Sequence, residues 1–177
     1  MQKLVLCAAL WMVVASSSLV FAADLEEARK RYKQSGATDA SLVAYDACKK
    51  GAQLSCVQAA VFFFIDKQPE ITRDILLKVK AVNTSQLQFE EEMLTAYLRE
   101  NPRAYSVEVE TLGKLLGSEE IGALSTLEAL RAGKPPSADI PKILGSICKQ
   151  KKMQAVGDAI LAAWPKKETL SVPHQSP

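Results

Sequence analysis

Histidine is almost missing from this chain of 177 residues: there is one, His174, close to the C-terminus. Its scarcity excludes histidine-dependent nucleophilic triads and histidine-rich metal sites. There is no glycine-rich phosphate loop either. An excess of charge of one sign is also lacking, with 22 basic side chains against 20 acidic and a formal charge of +2. A balance so close to zero gives no electrostatic case for nucleic acid or an anionic membrane as partner. Together these absences point away from an enzyme and away from any cofactor, and towards a partner that is another protein.

What is present begins with an export signal. Met1-Gln2-Lys3 is a short positive start, Leu4 to Phe21 is apolar apart from Ser16, Ser17 and Ser18, and Val20-Phe21-Ala22 offers small residues for cleavage. Residues 1–22 are therefore expected to be a signal peptide, 23–164 a single helical repeat domain and 165–177, with three prolines, a flexible tail. The expected location is periplasmic or secreted, with no stable membrane insertion after cleavage. Cys7 leaves with the signal, and Cys48, Cys56 and Cys148 remain. Export permits a disulfide, and Cys48 with Cys56 is the closely spaced pair, too far apart for a redox Cys-x-x-Cys. Cys148 completes the helical stripe Ile140, Ile143, Leu144, Ile147, which suits a buried thiol, with an intermolecular bridge as the alternative.

The strongest regularity is a set of prolines. Pro69, Pro102 and Pro135 are each 33 residues from the next, and one more step back lands on Gly36. Periods of this length are how stacked helical hairpins show themselves in sequence. Other columns agree. Leu54, Leu87 and Met153 share one; Val61, Leu94 and Ile160 another; then Phe64, Tyr97 and Ala163; then Ile65, Leu98 and Trp164. The third block follows with Leu127 and Leu130, but its Glu120 and Arg131 break the other columns.

Each block has the pattern of two helices. Thr38-Asp39, Asn101-Pro102 and Asp139-Ile140-Pro141 are start signals, and Gly51, Gly117 and Gly133 fall where helices should stop. Gly113 and Gly117 form a GxxxG that is expected to mark a helix end rather than a packing contact. Tyr105 to Leu112 alternates with period two, yet Tyr105, Val109, Leu112 and Leu116 also make a helical stripe, and helical neighbours favour helix. The fold expected is all-α: a short right-handed array of helical hairpins, α-solenoid-like, with about nine helices including one at 24–35.

The run Ala47-Cys-Lys-Lys-Gly-Ala-Gln-Leu-Ser-Cys56-Val-Gln-Ala-Ala-Val-Phe-Phe-Phe64 resembles one unit of the cysteine-rich SEL-like repeats, relatives of the tetratricopeptide repeat. Those secreted hairpins often join their helices by cysteines at this spacing, so the resemblance implies a Cys48–Cys56 bridge across the turn at Gly51, with Cys148 reduced. It is confined to the first block. The sequence also resembles periplasmic immunity proteins of type VI secretion, through the cysteine pair, Gln86-Leu87 and Tyr97-Leu-Arg-Glu-Asn-Pro102. The Gly-Tyr that follows the second cysteine in those proteins is missing here. Ser146-Ile-Cys-Lys149 has the Ser-x-x-Lys spacing of penicillin-binding enzymes, but the companion Ser-Asp-Asn and Lys-Thr-Gly are missing, and the match is accidental.

Two features bear on a binding surface. Val57 to Ile65 is apolar except for Gln58, too short to span a bilayer and too apolar all round for a surface helix. Val57, Val61 and Phe64 are expected to face the stack and Cys56, Ala60 and Phe63 the first helix; the alternative is that Phe62 or Phe63 is left over as an anchor for a partner. Carboxylates crowd the stretch from Glu90 to Glu128, and Glu90, Glu91 and Glu108 are the expected acidic side of a partner surface. The function implied is an exported, non-enzymatic protein-binding or scaffold protein of the periplasm or cell envelope. The alternative is a periplasmic immunity or inhibitor protein that neutralises a toxin or enzyme.

Overall fold

The computed structural model describes residues 23–80, 82–133, 140–147 and 153–164. The expected signal, the expected tail and Cys148 lie outside the described residues. Among those described there are nine α-helices and no strand. The first, α1, covers 23–35. Then come α2 (Ala37–Lys49), α3 (Gln53–Ile65), α4 (Pro69–Leu76) and α5 (Gln88–Glu100). A single 3-10 turn, Pro102–Ala104, leads to α6 (Val107–Leu116), α7 (Glu119–Arg131), α8 (Ile140–Ile147) and α9 (Gln154–Ala163).

The sequence period becomes lateral packing. On α1, α3 and α5, residues one period apart lie side by side. Phe64 of α3 and Tyr97 of α5, 33 apart, meet edge to face with ring centroids 6.0 Å apart. The α1 helix joins the same frame: Gln58 Nε2 donates to the Leu25 carbonyl, again 33 residues away, at 3.1 Å. Tyr32 stacks on Phe62 at 5.1 Å. Ala28, Val61, Leu94, Leu127 and Ile160 occupy one column through all five second helices, and none is more than 5% exposed.

Ten of the thirteen residues of α3 are buried, so this helix has no face for water. The expected division of its sides holds: Cys56 is bonded to Cys48 of α2, Phe63 meets Tyr45 of α2, and Phe64 meets α5. The disulfide closes a short loop at a Cα–Cα distance of 4.5 Å. Constraining the unfolded chain in this way contributes about 2–3 kcal/mol.

Three local expectations need correction. The α2 helix begins at Ala37 without a side-chain cap, because Gly36 holds the cap position; Thr38 is already within the helix, and its hydroxyl donates to Asp66 Oδ1 at 2.6 Å, tying the start of α2 to the end of α3. Asn101-Pro102 starts only the 3-10 turn; Tyr105 and Ser106 are extended, and α6 opens at Val107. In the second block α4 packs on α3 and α6 rather than closely against its own partner α5, from which residues 77–87 separate it. The core accordingly falls into two clusters, one reaching from Leu25 to Ile121 and one from Ala123 to Trp164, with α7 contributing to both.

The GxxxG does two jobs. Gly117 ends α6 in the left-handed region at φ 66°, and Ser118 then caps α7 by accepting from the Ile121 amide at 3.3 Å. Contrary to expectation, Gly113 is a packing contact. A Cβ there would sit 2.8 Å from Ile121 Cγ2 and 3.3 Å from its Cβ, and a branched side chain on a helix has little room to turn away. Gly122, one residue further along α7, faces open space. Gly113→Ala should therefore cost about 1–3 kcal/mol by overpacking, whereas Gly122→Ala should gain about 0.5–1 kcal/mol of helix propensity. Thermal melts of the two variants check this by the opposite signs of their shifts in Tm.

Candidate functional site

Among the described residues, a groove of about 590 Å³ is bounded by α2 and α4 and floored by α3. Its volume falls within the range of roughly 300–1,000 Å³ common for ligand clefts. Thr38, Leu42, Tyr45 and Lys49 line one wall, one face of α2 at helical spacing. Gln68, Ile71, Asp74, Ile75 and Lys78 line the other. Gln53, Cys56 and Phe63 form the floor.

The direction of the walls follows from their contacts with α3. Thr38 reaches Asp66 while Cys48 is bonded to Cys56, so α2 runs antiparallel to α3. The Thr72 hydroxyl donates to the Ala60 carbonyl and the Lys80 amide to Gln53 Oε1, so α4 is antiparallel to α3 as well. The two walls are thus parallel. The Thr38–Asp66–Gln68 hydrogen bonds close one end of the groove, and Lys49 and Lys78 stand at the other.

Why α2 leaves large side chains to the groove is a matter of stripes. Its buried residues are Ala40, Ser41, Ala44 and Ala47, a small-residue strip that lets it lie close on α3. Leu42, off that strip, is 55% exposed, and across the groove Ile71 is 37% exposed. Tyr45 packs its edge on Phe63 at 5.7 Å and carries the Lys49 ammonium over its ring at 5.2 Å. Sequence reasoning missed Leu42, Tyr45 and Ile71. The available signal was a leucine standing outside the small-residue face of its own helix.

Most of the acidic and aromatic surface expected from sequence is interior. Glu90 is 0% exposed: Arg29 of α1 donates to both its carboxylate oxygens, Nε to Oε1 at 2.9 Å and Nη2 to Oε2 at 2.8 Å, and Gln58 Nε2 adds a bond of 2.6 Å. Those hydrogen bonds to Glu90 are the main reason the Arg29 guanidinium is held even more firmly in its charged form. Glu108 is buried under Arg73, whose Nε donates at 2.7 Å. Phe62 is fully buried beside Tyr32, and Phe63 reaches the groove only as floor. Glu91 alone of the five is partly exposed. The physical reason is that a carboxylate facing an arginine on a neighbouring helix can be taken inside, which residue type alone does not reveal. Glu120, which breaks the third block's pattern, is likewise buried and ion-paired with Arg99 of α5, not turned outward for recognition.

Burial favours the neutral acid at Glu108, but the Ser106 hydroxyl, the residue's own amide and the Arg73 guanidinium outweigh it and hold the carboxyl below its ordinary value. A depressed folded-state pKa stabilises the fold above the unfolded value, about 4.3, and that contribution is lost as pH falls through the folded value.

No family model, curated protein or solved structure matches the chain.

Two measurements test this interior electrostatics. Arg29→Met leaves a buried carboxylate without its counter-charge, held only by Gln58, and should destabilise by about 3–5 kcal/mol, and adding Glu90→Met should recover much of the loss; denaturant midpoints of the single and double variants decide it. For Glu108, melting temperatures followed from about pH 6 down to about pH 3 should fall less steeply in Glu108→Gln than in the parent.

Proposed function

We propose that the protein is an exported, non-enzymatic binding protein of the periplasm or cell envelope, and that it holds another protein through the α2–α4 groove. The observation that carries this reading is the pair Leu42 and Ile71: two large aliphatic side chains left partly in water on facing walls of one cleft. An apolar surface of that kind, rimmed by polar groups, is where soluble proteins meet partners. The leader-like N-terminus and the Cys48–Cys56 bridge support an oxidising compartment. Among the described residues no helix is long and apolar enough to cross a membrane.

The test is capture from the native periplasm with the parent protein and with Leu42→Asp/Ile71→Asp, both changes lying on exposed positions that leave the core intact. The parent should retain a partner that the double variant loses at unchanged thermal stability. Equal capture by both would remove the groove from the binding reaction. A captured toxin or enzyme that the protein inhibits would turn the reading to an immunity or inhibitor protein; a member of an envelope complex would make it a scaffold.

A further inference from the structure

The groove is polar along its length as well as apolar across its middle. At the end where α2 and α4 finish stand the lining residues Lys49 and Lys78, and chain neighbours Lys50 and Lys80 are exposed there too. Asp74 is the lining carboxylate. Asp46 is engaged with Lys49 at 2.6 Å, but both side chains are well exposed, and an exchange of partners between exposed ions costs little. The opposite end is acidic: Asp39 and Glu70 lie in the first turns of α2 and α4, and Asp66 bridges Thr38 and Gln68.

Resting on the groove as the binding site, we infer that its occupant is a short amphipathic helix of another protein, with two aliphatic residues one turn apart and carboxylates in its first turn. The aliphatic pair meets Leu42 and Ile71 over the floor made by Phe63, while the carboxylates meet Lys49 and Lys78. This orientation runs the guest helix antiparallel to both walls. Its positive N-terminal dipole then lies beside the negative C-terminal ends of α2 and α4, and its own acidic first turn is stabilised by that dipole and by the lysines together. A helix seated in this sense between α2 and α4 continues the up-and-down alternation by which α2, α3 and α4 already pack. A guest with its basic end at the lysines opposes every one of these terms.

The experiment is a selection of displayed peptides of about 15 residues, near the shortest length that holds a helix alone, on the protein purified from a periplasm with its disulfide intact. The expected enrichment is for two aliphatic residues three or four apart, preceded by glutamate or aspartate. Lys49→Glu/Lys78→Glu should weaken a selected acidic peptide on the order of tenfold and should enrich basic peptides in its place. Binding by the parent should also fall as salt rises, since exposed charges are screened over about 8 Å at physiological ionic strength. Aliphatic peptides with no acidic preference, lost with Leu42→Asp but indifferent to lysine reversal, would overturn the inferred chemistry and leave the groove standing. Failure to enrich any peptide, or peptides that bind the Leu42→Asp/Ile71→Asp variant equally, would overturn both.

Discussion

The structure depends on covering α3. A helix whose sequence is apolar on every side has to find neighbours all the way round, and α1, α2, α4, α5 and α6 are those neighbours. The packing order of the first two blocks follows from this. The second-type helices α1 and α5 pack on it and on each other, Tyr32 meeting Phe89 at 6.0 Å, while the disulfide-linked α2 and α4 cover other sides. Even the opening of the second block is a consequence, because α4 is held by α3 and α6 more than by its own partner α5. Among the described residues, the far end of the chain has no helix buried in this way. There the core is a smaller cluster built on Leu127, Met153 and Ile160, joined to the first through α7.

The charged residues inside the stack serve the same constraint. Gln58, fully buried in the otherwise apolar run Val57 to Ile65 of α3, gives one hydrogen to the Leu25 carbonyl and one to Glu90. Arg29 answers Glu90 from α1, Arg73 answers Glu108 from α4, and Arg99 answers Glu120 from α5. Each pair crosses between helices of different blocks. In each pair the carboxylate is the buried member, while Arg73 and Arg99 are more than half exposed, and sliding one helix past the next would leave the carboxylate inside without its arginine. Apolar columns repeating every 33 residues tolerate a slip more easily than these pairs do.

How much of this was legible in the sequence depends on the kind of contact. The helical class, the period, the Gly51 and Gly117 turns and the Val61–Leu94–Ile160 column were all readable, because each rests on local backbone chemistry or on a repeated spacing, and the disulfide was implied by the resemblance of the first block to a cysteine-linked hairpin. Glu90 and Glu108 were not readable as interior groups. Their partners, Arg29 and Arg73, are 61 and 35 positions away, and nothing in a single sequence announces which arginine a carboxylate will meet. Gly113 illustrates the same limit in miniature. Its spacing to Gly117 suggested a helix end, which Gly117 provides, but the close approach of Ile121 became visible only once α7 was folded back on α6. The groove escaped notice because it belongs to no motif: Leu42 and Ile71 come from different helices and are made neighbours by α3.

The groove also explains how α2 can be firmly placed while leaving its largest side chains unburied. A helix is usually held by the apolar face it buries, yet α2 rests on α3 through alanines and a serine, which remove little area from water. Its position is set by fastenings at its two ends: the Thr38–Asp66 hydrogen bond at the start and the Cys48–Cys56 bond at the finish. Between them Leu42 is free of structural duty on the groove side, and Tyr45 is shared between Phe63 and the groove. On the opposite wall α4 is secured in a similar way, through Thr72 and Ile75 on its buried side and Arg73 to Glu108, so Ile71 is spared. Among the second-type helices α3 packs on α5 and α7 on α9, whereas α2 and α4 are both anchored to α3 and share no extensive interface. A cleft between them is what that arrangement leaves. Because its walls are fixed from behind, a guest can bury Leu42 and Ile71 without first paying to order the site, which is the condition under which a small apolar contact becomes usable binding energy.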